Sequence, residues 1–210
     1  MATSNLRRAN QSEQSEESAQ RKDSPELVDI VEIESERVVP VCEDYPFEQD
    51  RHVGTATYIE PSEFTPGREI EIEFEYRDES ELLRLELKTD VDSVNKIFEE
   101  IAPILGSGLE VYHNIHAPED ALWDFLMEAN RILEITVFDE GYEVPYDDIE
   151  GVPREDVIGE YAIESATVGF NHDGHQIVVQ FTGGKLQIET DWDAGREYIL
   201  QLFEREVLAG

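Results

Sequence analysis

The strongest constraint on the fold is a run of alternating residues in the first half of the chain. From Glu69 to Tyr76, glutamates alternate with Ile70, Ile72, Phe74 and Tyr76. A period of two is that of a β-strand with one face in a core and the other in water. Residues 82–88 alternate in the same way after a polar turn, so the two segments are predicted to form a β-hairpin.

Other segments carry weaker signals for strands and for three helices. Apolar residues at helical spacing predict a helix over 94–105, capped by Asp90 or Asp92 and ended by Gly106. A second helix is expected from Pro118, and a third over about 193–207. Further strands are expected at 28–33, 38–41, 132–138, 161–171, 175–182 and 185–190, with Asp173-Gly174 as a two-residue hairpin turn between the fourth and fifth of these.

A possible internal repeat suggests how these elements are organised. Thr89-Asp90-Val91-Asp92 and Thr190-Asp191-Trp192-Asp193 both fall between a predicted strand and a predicted helix. Two capped helices that follow hairpins would also look alike without duplication, because Asp caps are common. The fold class expected is α+β: antiparallel β-hairpins, about three helices packed on the sheet, and duplicated hairpin-helix (ββα) units.

The domain organisation follows from shifts in composition along the chain. Residues 1–24 are polar and nearly neutral, and they are predicted to be a disordered tail. Residues 25–138 form an amino-terminal α+β half in this interpretation, and 159–210 form a carboxy-terminal hairpin-helix half. Residues 139–158, rich in Asp, Glu, Gly and Pro, are predicted to be an acidic loop or linker.

The charge predicts the environment in which the protein works. The chain has a formal net charge of -34, with 50 Asp and Glu against only 16 Lys and Arg. At roughly 1 M salt the screening length falls to about 3 Å, so repulsion within such a surface nearly vanishes. The composition resembles that of haloarchaeal proteins in general and indicates a halophilic protein with an acidic surface.

Several features favour a cytoplasmic location. Cys42 is the only cysteine, which excludes an intrachain disulfide and a cage of thiolates around a metal. No apolar run approaches the roughly 20 residues needed to cross a bilayer. Arg7-Arg8 is not followed by an apolar stretch, so a twin-arginine export signal is not expected.

Four of the five histidines fall in two pairs with the same spacing, which makes them the candidate metal ligands. The pairs are His113-Asn114-Ile115-His116 and His172-Asp173-Gly174-His175. If Asp173-Gly174 is a hairpin turn, His172 and His175 project to one face and could hold one divalent metal ion. The alternative is that these histidines are exposed turn residues that partly balance the acidic charge.

Other chemistry is not indicated by the sequence. The acidic loop lacks the spacing of a calcium site, Gly183-Gly184-Lys185 lacks the glycine that a phosphate-binding loop has upstream, and no Gly-x-Ser-x-Gly elbow occurs. The sign of the charge disfavours nucleic acid. We therefore expect a non-catalytic protein-binding or assembly module, with a protein partner or itself as ligand. The alternative is a metal-binding protein or metal-dependent enzyme that uses the two histidine pairs.

Overall fold

Strands dominate the fold. It is known from a computed structural model, which describes residues 3–11, 27–61, 67–106, 109–149 and 151–209. The strands are β1 (Thr3–Gln11), β2 (Val28–Arg37), β3 (Asp50–Glu60), β4 (Arg68–Arg77), β5 (Leu82–Leu87), β6 (Leu109–Val111), β7 (Arg131–Asp139), β8 (Tyr142–Pro145), β9 (Ile163–His172), β10 (His175–Thr182) and β11 (Lys185–Glu189). The helices are α1 (Val94–Leu105), α2 (Glu119–Met127), α3 (Arg154–Val157) and α4 (Asp193–Phe203), and α4 continues into a π-helical turn, Glu204–Leu208.

The expected fold class is wrong. Of the residues that the structure describes, 46% lie in strands and 22% in helices, so the fold is mostly antiparallel β-sheet and not a helix-packed α+β fold of ββα repeats. The physical reason is that several strands have no alternating apolar pattern. β1 has only Leu6 and Ala9 as apolar residues, and β3 places polar residues or glycine at most of its positions.

Two segments differ locally from their predictions. Residues 3–11, within the segment 1–24 expected to be a tail, form β1, while residues 12–24 lie outside the described residues. The segment 139–158, expected to be a loop, contains β8 and the single turn α3.

The N-cap position of α1 is held by Ser93 and not by an aspartate, and its side chain makes no capping hydrogen bond.

The chain divides into two compact units. The amino-terminal unit comprises Leu6–Val38 and Glu48–His113, and the carboxy-terminal unit comprises Met1–Asn5, Val39–Phe47 and Asn114–Gly210. β1 therefore gives its first residues to one unit and the rest to the other.

The amino-terminal unit is a twisted antiparallel sheet with one helix. Its strand order is β2-β3-β4-β5-β1, and β6 also pairs with β1. The core lies between α1 and the apolar face of β4 and β5, where side chains such as Ile72, Phe74, Leu85, Phe98 and Ile101 are buried. The hairpin of β4 and β5 is confirmed, with Phe74 opposite Leu85.

The carboxy-terminal unit has the strand order β11-β10-β9-β7-β8, with the start of β1 beside β11. Helices α2 and α4 cover one face of this sheet. Phe125 of α2 packs against Phe170 of β9 and Phe203 of α4, at ring-centroid distances of 5.6 and 5.2 Å. The core of the unit is thus confined to one side of the sheet.

Two tight turns fix the register of this sheet. His172 pairs with His175 across Asp173-Gly174, which confirms the predicted hairpin. Thr182 pairs with Lys185 across Gly183-Gly184. All four turn residues have positive φ, from 47° to 80°, as in the type I′ turns that match the twist of paired strands. Three adjacent strands therefore keep a rigid alternation of core-facing and outward-facing residues.

Among the described residues, no helix is long and apolar enough to cross a membrane.

Candidate functional site

The histidine pair of the β9–β10 hairpin is brought together as its sequence predicts. His172 and His175 are cross-strand partners, so both side chains lie on the same face of the sheet. That face is the one covered by α4. The rings stack on aromatic side chains. The ring centroid of His172 lies 3.9 Å from that of Tyr198, and the ring centroid of His175 lies 4.4 Å from that of Trp192. The two imidazoles therefore extend the aromatic edge of the core.

A glycine makes this packing possible. A Cβ atom on Gly195 would lie 2.4 Å from the ring of Trp192 and 2.9 Å from Ile177. Only a residue without a side chain lets the first turn of α4 approach β10 so closely. The stack of Tyr198, His172, Trp192 and His175 is thus a packed structural element.

The other histidines have different surroundings. His113 and His116 are both exposed, and His116 has a left-handed backbone, with φ 53°. His52 lies in the amino-terminal unit, where its Nδ1 is 2.7 Å from Ser35 Oγ. The part of the chain that the structure describes contains no group of three or more His, Cys, Asp or Glu side chains that could hold a metal ion. The metal hypothesis thus rests on spacing in the sequence alone.

Cys42 belongs to a segment that is held against α4. The buried side chain of Gln201 accepts hydrogen bonds from Val41 N and Cys42 N through Oε1, at 2.7 and 3.1 Å. Its Nε2 donates to Val39 O at 2.8 Å. Burial raises the pKa of the Cys42 thiol, although Arg205 beside it acts in the opposite direction. A buried thiol with a raised pKa is a poor nucleophile.

The outer face of the carboxy-terminal sheet is the most unusual surface of this acidic protein. Hydrogen-bond register aligns its outward residues in three rows across β7, β9, β10 and β11. We call these twelve residues the neutral face. The rows are Arg131, Gly169, Val178, Glu189; then Glu134, Thr167, Gln180, Gln187; then Thr136, Ser165, Thr182, Lys185.

The charges on the neutral face cancel. It carries two cations, Arg131 and Lys185, and two anions, Glu134 and Glu189, within a chain of net charge -34. The other eight residues are Ser, Thr, Gln, Val and Gly. All twelve are half-buried or exposed. The face is therefore a solvent-accessible patch without net charge on an otherwise acidic molecule.

The cations of the neutral face differ in their pairing from two other arginines of the same unit. Among the described residues, no carboxylate forms an ion pair with Arg131 or Lys185, although both side chains are exposed. Arg196 and Arg205 of the same unit do pair, with Asp193 and Glu206. The positive charges of the face are thus available to another molecule.

The outer face of the amino-terminal sheet is organised differently. Glu75 is buried there, with Arg77 Nε at 2.7 Å and Arg84 Nη2 at 3.1 Å. Burial acts to raise the pKa of Glu75, but the neighbouring guanidinium groups of Arg77, Arg84 and Arg51 outweigh it and hold the pKa at about 2. These charges are satisfied within the unit, so the network is structural.

A cavity lies beside the neutral face, along β7. Its volume is about 450 Å³, and its lining includes Met127, Leu133, Glu134 and Tyr146. Leu133 is the additional residue of a bulge in β7 and is 46% exposed, and Met127 is 38% exposed. Two partly exposed apolar side chains thus lie beside the neutral face, in a lining that also contains polar residues.

Sequence reasoning missed the neutral face, although a signal for it was present. The outward positions of β4 are glutamates, whereas those of β9 and β10 contain no Asp or Glu from Ser165 to Asn171 or from Gln176 to Thr182. In a chain where nearly a quarter of all residues are acidic, such a gap is itself informative.

A comparison of the chain with models of protein families and with curated proteins finds no match.

Proposed function

We propose that this protein is a halophilic, cytoplasmic, non-catalytic binding or assembly module, and that the neutral face is the surface with which it binds a protein. The observation that supports the proposal is the cancellation of charge on that face. The centres of protein–protein interfaces are depleted of charged residues, because a carboxylate that loses water there must find a partner.

An acidic surface limits where another protein can dock. Its carboxylates repel a second acidic molecule and hold water that is costly to displace. The two central strands of the neutral face present no carboxylate in its first two rows. The neighbours there are Thr167, Gly169, Val178 and Gln180. An extended sheet surface of this kind fits another protein better than it fits a small molecule, because small molecules are bound in concave pockets.

The test is a single carboxylate placed at the centre of the face. Val178→Glu adds one negative charge to a half-buried outward position, and Thr57→Glu does the same on the outer face of the amino-terminal sheet. Each tagged variant is purified at molar KCl. Light scattering then measures its self-association, and the amount of other protein that co-purifies with it is quantified.

We expect Val178→Glu to reduce self-association or the amount of bound partner protein at least tenfold. Thr57→Glu should leave both quantities unchanged. Circular dichroism establishes that both variants are folded. If both variants bind as much protein as the parent chain, the neutral face is not the binding surface.

A further inference from the structure

The first row of the neutral face is complementary to itself in charge. The face has β7 and β11 as its outer strands and the β9–β10 boundary as its centre line. In the first row, Arg131 on β7 and Glu189 on β11 lie at equal distances on opposite sides of that line. The two outer positions of this row therefore carry opposite charges, whereas the outer positions of the other rows pair Glu134 with Gln187 and Thr136 with Lys185.

We infer that the neutral face binds a second copy of this chain, face to face, about a two-fold axis that runs along the boundary between β9 and β10. This inference rests on the proposed function and specifies its partner. Rotation about such an axis brings β7 of one copy over β11 of the other, so Arg131 of each copy meets Glu189 of its mate. Two-fold interfaces always repeat each contact in this way.

The central residues have matching sizes under the same rotation. Val178 of one copy lies over Gly169 of the other, and Gln180 lies over Thr167, since these are cross-strand partners on either side of the axis. A larger side chain therefore meets a smaller one at each central position. Sheets that pack face to face are about 10 Å apart, a gap that such alternation fills.

Charge supports a second copy over an unrelated acidic partner. Two chains of net charge -34 pack together at the least cost where neither presents excess carboxylate, and the neutral face meets that condition on both sides at once. Arg131 has no described carboxylate partner in its own chain, and the two-fold axis supplies one. Glu189 already accepts a hydrogen bond from Gln180 Nε2 at 3.1 Å, which fixes its position.

The experiment is a reciprocal charge swap read by light scattering at molar KCl. The parent chain is expected to have twice the monomer mass of 24.0 kDa. Arg131→Glu and Glu189→Arg, made singly, each place like charges together and should weaken the dimer at least tenfold. The double variant restores opposite charges across the axis and should regain the dimer.

The rescue is diagnostic because the two residues cannot pair within one chain. They lie three strand spacings apart, or about 14 Å. Lys96→Glu, an equal change of charge at an exposed position of α1, is the matched control and should leave the mass unchanged.

Three outcomes separate this inference from the proposed function. A monomeric parent chain, or a double variant as weak as the singles, overturns the second copy as partner. If the chain is monomeric but binds another protein that Val178→Glu releases, the proposed function stands without the dimer. If Val178→Glu changes neither self-association nor protein capture, the proposed function itself fails.

Discussion

The two units of this protein manage their negative charge in opposite ways. The amino-terminal unit has 26 Asp and Glu against 11 Arg and Lys, and it uses its arginines to neutralise glutamates on the outer face of its sheet. The carboxy-terminal unit has 24 against only 5, yet its cations and anions balance on the outer face of its sheet, which has no net charge. Acidity alone therefore does not reveal which surface is structural and which can bind.

The largest effect that can test this comparison is the removal of salt. The screening length rises from about 3 Å at 1 M salt to about 10 Å at 0.1 M, so unpaired carboxylates begin to repel one another. We expect both units to unfold on dialysis, and the carboxy-terminal unit to do so at the higher salt concentration, because it has fewer cations.

The chain offers a convenient way to observe the two units separately. Both tryptophans, Trp123 and Trp192, lie in the carboxy-terminal unit, so their fluorescence reports on that unit alone, whereas circular dichroism reports on both. Coincident transitions would contradict the difference in salt dependence, and an unchanged spectrum in dilute buffer would contradict halophily.

The next largest effect concerns the buried network of the amino-terminal unit. Glu75→Gln removes the buried carboxylate that Arg77 and Arg84 share and should lower the free energy of unfolding by about 3–5 kcal/mol. The matched control is Glu73→Gln on the same strand, because Glu73 forms an exposed pair with Lys88 that contributes less than about 1 kcal/mol. Urea titrations at molar KCl measure both changes in the free energy of unfolding. Equal losses for the two variants would show that the buried network around Glu75 stabilises the unit no more than an exposed ion pair does.

Acid should remove the same contribution. The pKa of Glu75 is about 2 in the folded protein, against an ordinary 4.5, so its stabilisation is present above about pH 4.5 and is lost as the pH falls toward 2. This shift in pKa corresponds to a contribution of about 3 kcal/mol to the free energy of unfolding. The gap in stability between the parent chain and Glu75→Gln should therefore narrow below pH 4.5, and a constant gap down to pH 3 would refute the paired state of Glu75.

The smallest effect tests the packing of the carboxy-terminal unit. Gly195→Ala gains helix propensity of about 1 kcal/mol but forces the ring of Trp192 to move, for a net loss of about 1–2 kcal/mol. Gly169→Ala, on the neutral face, meets no atom closer than 3.9 Å and should be nearly neutral. Near-ultraviolet circular dichroism should change only for Gly195→Ala, and an unchanged spectrum for both variants would show that the stack tolerates a methyl group.

Elements with a strong periodic pattern could be predicted from the sequence. The β4–β5 hairpin, the β9–β10 hairpin and α1 have nearly the expected bounds, since each combines regular apolar spacing with a clear turn or end signal. Strands such as β1 could not be predicted, because a central strand takes its burial from its neighbours. Ser4 and Arg7 are buried in β1 although both are polar.

The candidate site was less accessible to sequence reasoning than the fold. Spacing correctly indicated that His172 and His175 share a face, but it could not show that Tyr198 and Trp192 stack on them. The neutral face depends on register across four strands, two of which are joined through the bulge at Leu133. Such a surface becomes visible only when the strands are aligned.

The division of β1 between the units has a consequence for how the chain folds. Asn5 accepts a hydrogen bond from Gln187, 182 residues later in the sequence, whereas all elements of the amino-terminal unit precede residue 114. During synthesis the amino-terminal unit can therefore close early, while the sheet of the other unit waits for β11 to leave the ribosome. Long-range pairing of this kind slows folding, so the pairing of β1 with β11 would limit the rate at which the carboxy-terminal unit folds.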